Sequence, residues 1–207
     1  MQKQFLTMLQ LQHAMNSKVH SDWMSQNFAW YRALWIECGE LMDHQGYKWW
    51  KQQVPDAEQV KLEIVDIWHF GLSMLITRHN GDLAAAAEAM EAELAATIRK
   101  DEGVLLATEA LASHTLRSQD FSVGKFWDLL LAAGMTANEL FTAYVGKNVL
   151  NFFRQDNGYK DGTYIKQWHG REDNEHLVEI VATLDQTADD FSDQLYQGLA
   201  NRYASLG

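Results

Sequence analysis

Apolar positions recur along most of the chain at steps of three and four residues, the spacing of a single helix face. Phe5, Leu6, Met8, Leu9, Leu11, Met15 and Val19 open the chain with such a stripe, and Gln12 is its polar member. From about Gln26 to Asp43, the side chains of Phe28, Trp30, Tyr31 and Trp35 make the segment nearly apolar all round. That predicts a central helix ending near Gly46. Gln52 to Asp56 reads as a loop around Pro55. A third helix is predicted from Asp56 or Ala57 to about His79, with Asn80-Gly81 as its stop signal. Asp82 is a candidate cap for an Ala-rich helix reaching Lys100, and Gly103 to Gly134 reads as two shorter helices with a polar break from Ser113 to Ser122. Thr136-Ala-Asn-Glu139 has the pattern of a capping box, opening a helix that closes at Asn157-Gly158. A loop from Tyr159 to Gly170 and a final amphipathic helix from about Asp173 to Tyr203 complete the chain. No run of alternating residues is long enough for a sheet. The predicted fold class is therefore all-α, a helical bundle.

Composition narrows the picture. One proline in 207 residues suits helix throughout, and 47% hydrophobic residues exclude a disordered chain. No internal repeat or low-complexity linker divides the sequence, so residues 1–207 are expected to form a single domain. The balance of 17 basic against 28 acidic residues, a formal charge of -11, argues against a nucleic-acid polymer as partner. A small polyphosphate is still compatible with that charge if cations bridge the two. The single cysteine, Cys38, excludes an internal disulfide and the multi-cysteine zinc motifs, and its neighbours predict a buried, unreactive thiol. No signal-peptide pattern and no membrane-length apolar run is present, so a cytoplasmic protein is expected.

The candidate chemistry lies between Trp35 and Phe70. Glu37-Cys-Gly-Glu40 and Glu63-Ile-Val-Asp66 are acidic pairs at i,i+3 spacing, which puts each pair on one helix face. Either pair alone reads as a solvated polar face. Two pairs on successive helices, each set among apolar and aromatic residues, would repel and raise each other's pKa unless a charge compensates them. A hard divalent cation with oxygen ligands is the simplest compensation. Asp66, His69, Phe70 and Ser73 continue the stripe that Glu63 begins, while Tyr47-Lys-Trp-Trp-Lys51 sets rings and two cations beside the acids. Tryptophans such as Trp49 and Trp50 commonly pack in cores or interfaces. Gln12 and Asn16 sit one turn apart on the first helix, and by themselves read as surface polarity. The loop after Asn157 gathers Lys160, Gly162, Thr163, Tyr164 and Lys166, groups suited to an anion, although surface cations balancing an acidic chain would look the same.

Taken in order, five stretches resemble one family. They are Leu11 to Asn16 (Leu-Gln-His-Ala-Met-Asn), Trp35 to Asp43 (Trp-Ile-Glu-Cys-Gly-Glu-Leu-Met-Asp), Tyr47 to Lys51, Leu62 to Phe70 (Leu-Glu-Ile-Val-Asp-Ile-Trp-His-Phe), and Lys147 to Lys160 (Lys-Asn-Val-Leu-Asn-Phe-Phe-Arg-Gln-Asp-Asn-Gly-Tyr-Lys). The sequence resembles the dimeric, all-helical dUTPases of the all-α NTP pyrophosphatase superfamily. The Ala-rich middle, Gly81 to Gly134, carries no part of the likeness. The resemblance implies a four-helix metal-binding core with additional helices, a homodimer, and hydrolysis of dUTP, and in many members dUDP, to dUMP. It implies that Glu37, Glu40, Glu63 and Asp66 hold Mg2+, with Glu37 acting on the attacking water. Lys147, Asn151, Arg154, Tyr159, Lys160 and Lys166 would bind the phosphate chain, and Gln12, Asn16, Trp49, His69 and Phe70 would shape the base and sugar pocket.

Three rivals stand beside that reading. A related pyrophosphatase with another nucleotide would keep the metal site. A carboxylate-bridged di-iron bundle would use Asp66-x-x-His69 and Asp173-x-x-His176. A non-catalytic helical interaction protein would carry the acids as a solvated face.

Overall fold

The computed structural model of the protein describes residues 1–186, 188 and 190–205. Its helices are α1 (Gln2–Val19), α2 (Trp30–Gln45), α3 (Ala57–Arg78), α4 (Leu83–Ala96), α5 (Gly103–Ser118), α6 (Val123–Ala132), α7 (Ala137–Asp156), α8 (Asp173–Thr183) and α9 (Phe191–Ala204). The all-α expectation holds. The chain divides into two compact units, Met1–Phe141 and Thr142–Gly207, with the division falling early in α7.

Side-chain caps set several helix starts. Asp56 accepts the Gln59 N–H (3.2 Å), Asp82 accepts that of Ala85 (3.0 Å), and Ser122 accepts that of Lys125 (3.3 Å). Each satisfies an amide that the first helical turn cannot pair internally. Thr136 and Glu139 form the expected reciprocal box, Glu139 N–H to Thr136 Oγ1 (3.2 Å) and Thr136 N–H to Glu139 Oε2 (2.7 Å).

Four details depart from the sequence pattern. The second helix starts at Trp30, because a 3-10 turn at Trp23–Gln26 is followed by Asn27 in the left-handed region (φ 51°), which breaks the helix. The Ala-rich helix stops at Ala96. Thr97 is extended there, its hydroxyl donates back to Glu93 O (2.7 Å), and Arg99 pairs with Asp128 of α6 at 3.6 Å. The tail is two helices, α8 and α9, and residues 187 and 189 of the segment between them lie outside the described residues. The loop before α8 holds an antiparallel hairpin of two-residue strands, β1 (Gln167–Trp168) and β2 (Arg171–Glu172). Its turn places His169 (φ 49°) and Gly170 (φ 80°) both at positive φ, the requirement of a tight hairpin turn that matches strand twist.

In the first unit α3 is central and packs against α1, α2 and α4, most extensively against α2. Trp68 is fully buried, stacks on Phe126 (4.5 Å between centroids) and donates its indole N–H to Met8 Sδ (3.2 Å). Phe121 presses end-on against the backbone of Gly71, where an added Cβ would come within 2.6 Å of the ring. This leaves the Glu63 to Ser73 stripe of α3 facing α1 and α2. The second unit closes over an aromatic cluster in which Phe153 meets Tyr164, Trp168, Tyr196 and Tyr203 edge-on. Among the described residues no helix is long and apolar enough to cross a membrane.

Candidate active site

Glu37 and Glu40 project from α2, and Glu63 and Asp66 from α3, each pair one helical turn apart. Packing of α2 on α3 brings one carboxylate oxygen from each of Glu37, Glu63 and Asp66 within 4.8 Å of the others. Glu63 is buried and Glu37 and Asp66 half-buried. Glu40 is exposed and stands outside this triad, but its charge is felt by both Glu37 and Glu63.

The electrostatics follow from that crowding. Burial, the charge of Asp66, a hydrogen bond with Glu63 and the charge of Glu40 push the Glu37 carboxyl up to about 8. Glu63 is also raised, by burial and by Asp66 and Glu40, against the hydrogen bond from Glu37 and the nearness of His44. The His44 Nε2 to Glu63 Oε1 distance is 3.5 Å. Three carboxylates so close, two of them with raised proton affinity, form an oxygen-only donor set carrying more negative charge than its surroundings neutralise. That is the chemistry a small, hard divalent cation fits. Cys38, between the two α2 acids in sequence, is fully buried, and burial with the Glu37 charge pushes its thiol up to about 12. It is the inert thiol its neighbours suggested.

Next to the acids along α3 lies a buried polar cluster shared with α1. His69 Nδ1 lies 2.8 Å from Gln12 Oε1, Gln12 Nε2 donates to Asn16 Oδ1 (2.9 Å), and both amide nitrogens donate to Ser73 Oγ, at 3.2 Å from Gln12 and 2.9 Å from Asn16. Gln12 and Asn16 are thus buried groups in a network, and not the surface polarity that they suggest in isolation. Phe70 packs on Trp30 (6.2 Å), which lines a cavity of about 280 Å³ together with Phe28, Tyr31 and Thr77. Trp49 stands on the surface after α2, 90% exposed and edge-on to Trp50.

The remaining sequence candidates belong to the second unit. Lys147, Asn151 and Arg154 follow one another along α7. Arg154 grips the fully buried Asp173 with two hydrogen bonds of 2.8 Å and extends its third nitrogen to Asn151 Oδ1 (3.3 Å). The Tyr164 hydroxyl donates to the same carboxylate (2.8 Å). Burial would raise Asp173, but Arg154 and Tyr164 more than offset it and hold the carboxyl below its ordinary value. Tyr159 and Lys160 are exposed, the Tyr159 ring resting on Tyr164, and Lys166 pairs with Glu172 at 3.2 Å.

These contacts remove the di-iron alternative. Both oxygens of Asp173 are held by Arg154 and Tyr164. His176 Nε2 faces the Trp168 carbonyl (2.9 Å) and its Nδ1 faces Arg202 (3.0 Å). A carbonyl only accepts and a guanidinium only donates, so the ring is the Nε2–H tautomer with both nitrogens committed. Ser73 and His44 were not marked by the sequence as site residues, Tyr164 was marked only as part of an anion-suited loop, and Asp173 only as a ligand of the di-iron rival. Ser73 left a signal as the last member of the α3 stripe, and His44 left none.

An all-helical chain with a carboxylate triad between two helices has a candidate divalent-metal site. Residues 4–159 match the family model described as dUTPase, so the chain belongs to the dUTPase family. Compared with curated proteins, it matches none. The family makes the protein an enzyme, a dUTP diphosphatase that hydrolyses dUTP to dUMP.

Proposed function

We propose that hydrolysis depends on Mg2+ held by Glu37, Glu63 and Asp66, with Glu40 completing the set, and that the enzyme also accepts dUDP. The observation that carries the metal reading is the triad itself: three carboxylate oxygens within 4.8 Å, with Glu37 and Glu63 raised in proton affinity by burial and by the charge of Asp66. When bound, Mg2+ supplies positive charge to the phosphate oxygens and organises the reacting groups.

The residues of this chain then divide the work. Glu37, with a proton affinity near neutrality and a hydrogen bond to Glu63, is suited to take the proton of the attacking water. Gln12, Asn16 and His69 offer a fixed set of donors and acceptors for the edge of the base, and Phe70, with Trp49, supplies ring surface. Lys147, Asn151, Arg154, Tyr159, Lys160 and Lys166 supply charge and hydrogen bonds to the polyphosphate, with Arg154 also ordering the Tyr164 loop through Asp173. A cytoplasmic homodimer is the proposed form of the enzyme. The exposure of Trp49, Trp50 and Val54 supports self-association.

Pyrophosphate release from a panel of nucleoside triphosphates, with and without Mg2+, tests the proposal in wild type and Glu63→Gln. Magnesium-dependent release with dUTP preferred, lost in the variant, is expected. Equal turnover in a chelator, or of all pyrimidine nucleotides alike, overturns it. Phosphate release from dUDP checks the second substrate.

A further inference from the structure

We propose that Ser73 is a positioning residue that fixes which way the amides of Gln12 and Asn16 face, and thereby sets the preference for uracil over cytosine. The inference rests on the reading of Gln12 and Asn16 as the groups that meet the base.

One proton fixes the arrangement. Ser73 is fully buried in α3, and its hydroxyl donates to the His69 carbonyl one turn back (3.0 Å). A hydroxyl has a single hydrogen and two lone pairs. With the hydrogen committed to His69, Ser73 Oγ can only accept. It accepts from Gln12 Nε2 (3.2 Å) and Asn16 Nδ2 (2.9 Å), which saturates it. Turning either amide over would set a carbonyl oxygen against those lone pairs, in a place where water does not compensate.

The orientation propagates. With Gln12 Nε2 directed at Ser73 and at Asn16 Oδ1, Gln12 Oε1 is left to face His69 Nδ1 at 2.8 Å. That ring nitrogen therefore carries a proton, and in the neutral ring Nε2 is an acceptor. One buried hydroxyl thus dictates the polarity of two amides and the tautomer of one imidazole. Gln12 is 5% exposed, Asn16 8% and His69 8%, so little solvent relaxes the arrangement.

Uracil and cytosine differ by a reversal of polarity. Uracil carries a carbonyl at position 4 and an N–H at position 3, whereas cytosine has an amino group and a bare ring nitrogen there. An amide free to turn over meets either base equally well, and an amide held one way does not. Ser73 touches neither the phosphates nor the reacting water in this account, and its effect is on discrimination.

The test compares kcat/KM for dUTP and dCTP in wild type, Ser73→Ala, Ser73→Thr and Asn16→Ala, with a melting curve for each. Ser73→Ala is expected to fold and to lower the dUTP-to-dCTP ratio at least tenfold, mainly by improving KM for dCTP. Ser73→Thr, which keeps the hydroxyl, is expected to restore most of the ratio. An unchanged ratio in Ser73→Ala, or equal losses on both nucleotides, overturns the proposal while a lowered ratio in Asn16→Ala leaves the base-pocket reading standing. An unchanged ratio in Asn16→Ala overturns the base-pocket reading and this proposal with it.

Discussion

Glu37 and Glu63 share a hydrogen bond across the contact of α2 and α3, with the charge of Asp66 bearing on both. Two acids one bond apart cannot both ionise cheaply, so the metal-free site holds a proton near neutrality. Glu37 is raised from 4.5 to about 8. Between those values the folded protein keeps a proton that the unfolded chain gives up, and stability therefore falls as pH rises through the window. Glu63 is shifted in the same direction and adds to the effect. The metal-free protein is expected to melt at a lower temperature at pH 8.5 than at pH 5.5. Saturating Mg2+ should reduce that difference, as scanning calorimetry at the two pH values with and without metal will show.

Glu63→Gln separates stability from chemistry. It removes a negative charge from the triad, so at pH 8 without metal the variant is expected to melt at or above the wild-type temperature. Its turnover of dUTP should fall on the order of 100-fold or more, as losses of key electrostatic groups do. Melting curves and a pyrophosphate assay on one preparation check both.

Arg154, proposed above to bind phosphate, also holds a buried carboxylate. Breaking a buried ion pair by removing one partner costs about 3–5 kcal/mol, because the other charge is stranded. Arg154→Ala should cost that much in urea unfolding, since Asp173 is fully buried. Asp173→Asn should destabilise with it, and the double variant should cost less than the sum.

Gly71 holds no chemistry, but Phe121 occupies the space of its missing side chain. Gly71→Ala gains helix propensity and still should destabilise by about 1–3 kcal/mol through overpacking. Activity per folded molecule should stay near wild type. Urea titration and turnover measured side by side distinguish these.

Much of this was legible in the sequence, for local reasons. The helix start near Asp56, the cap at Asp82 and the box at Thr136 and Glu139 are set within one turn, so residue type and spacing suffice to place them. The acidic pairs were legible because i,i+3 spacing commits both carboxylates to one face. What did not show is what tertiary packing decides. Asn27 ends a pattern that otherwise continues as helix, and only its left-handed backbone reveals the break. His169-Gly170 is a hairpin turn between strands of two residues, too short to alternate. Glu40 matches Glu37 in spacing, yet the approach of α3 half-buries Glu37 and leaves Glu40 in solvent. Ser73, Gln12 and Asn16 look like ordinary polar residues until α1 lies on α3 and excludes water.

Magnesium titrated calorimetrically into the metal-free protein, wild type against Glu63→Gln, tests the metal site most directly. In two buffers of different ionisation heat at pH 7.5, the wild type should bind Mg2+ and release protons, and the variant should bind far more weakly. Equal binding in both proteins, or binding without proton release, would contradict the account.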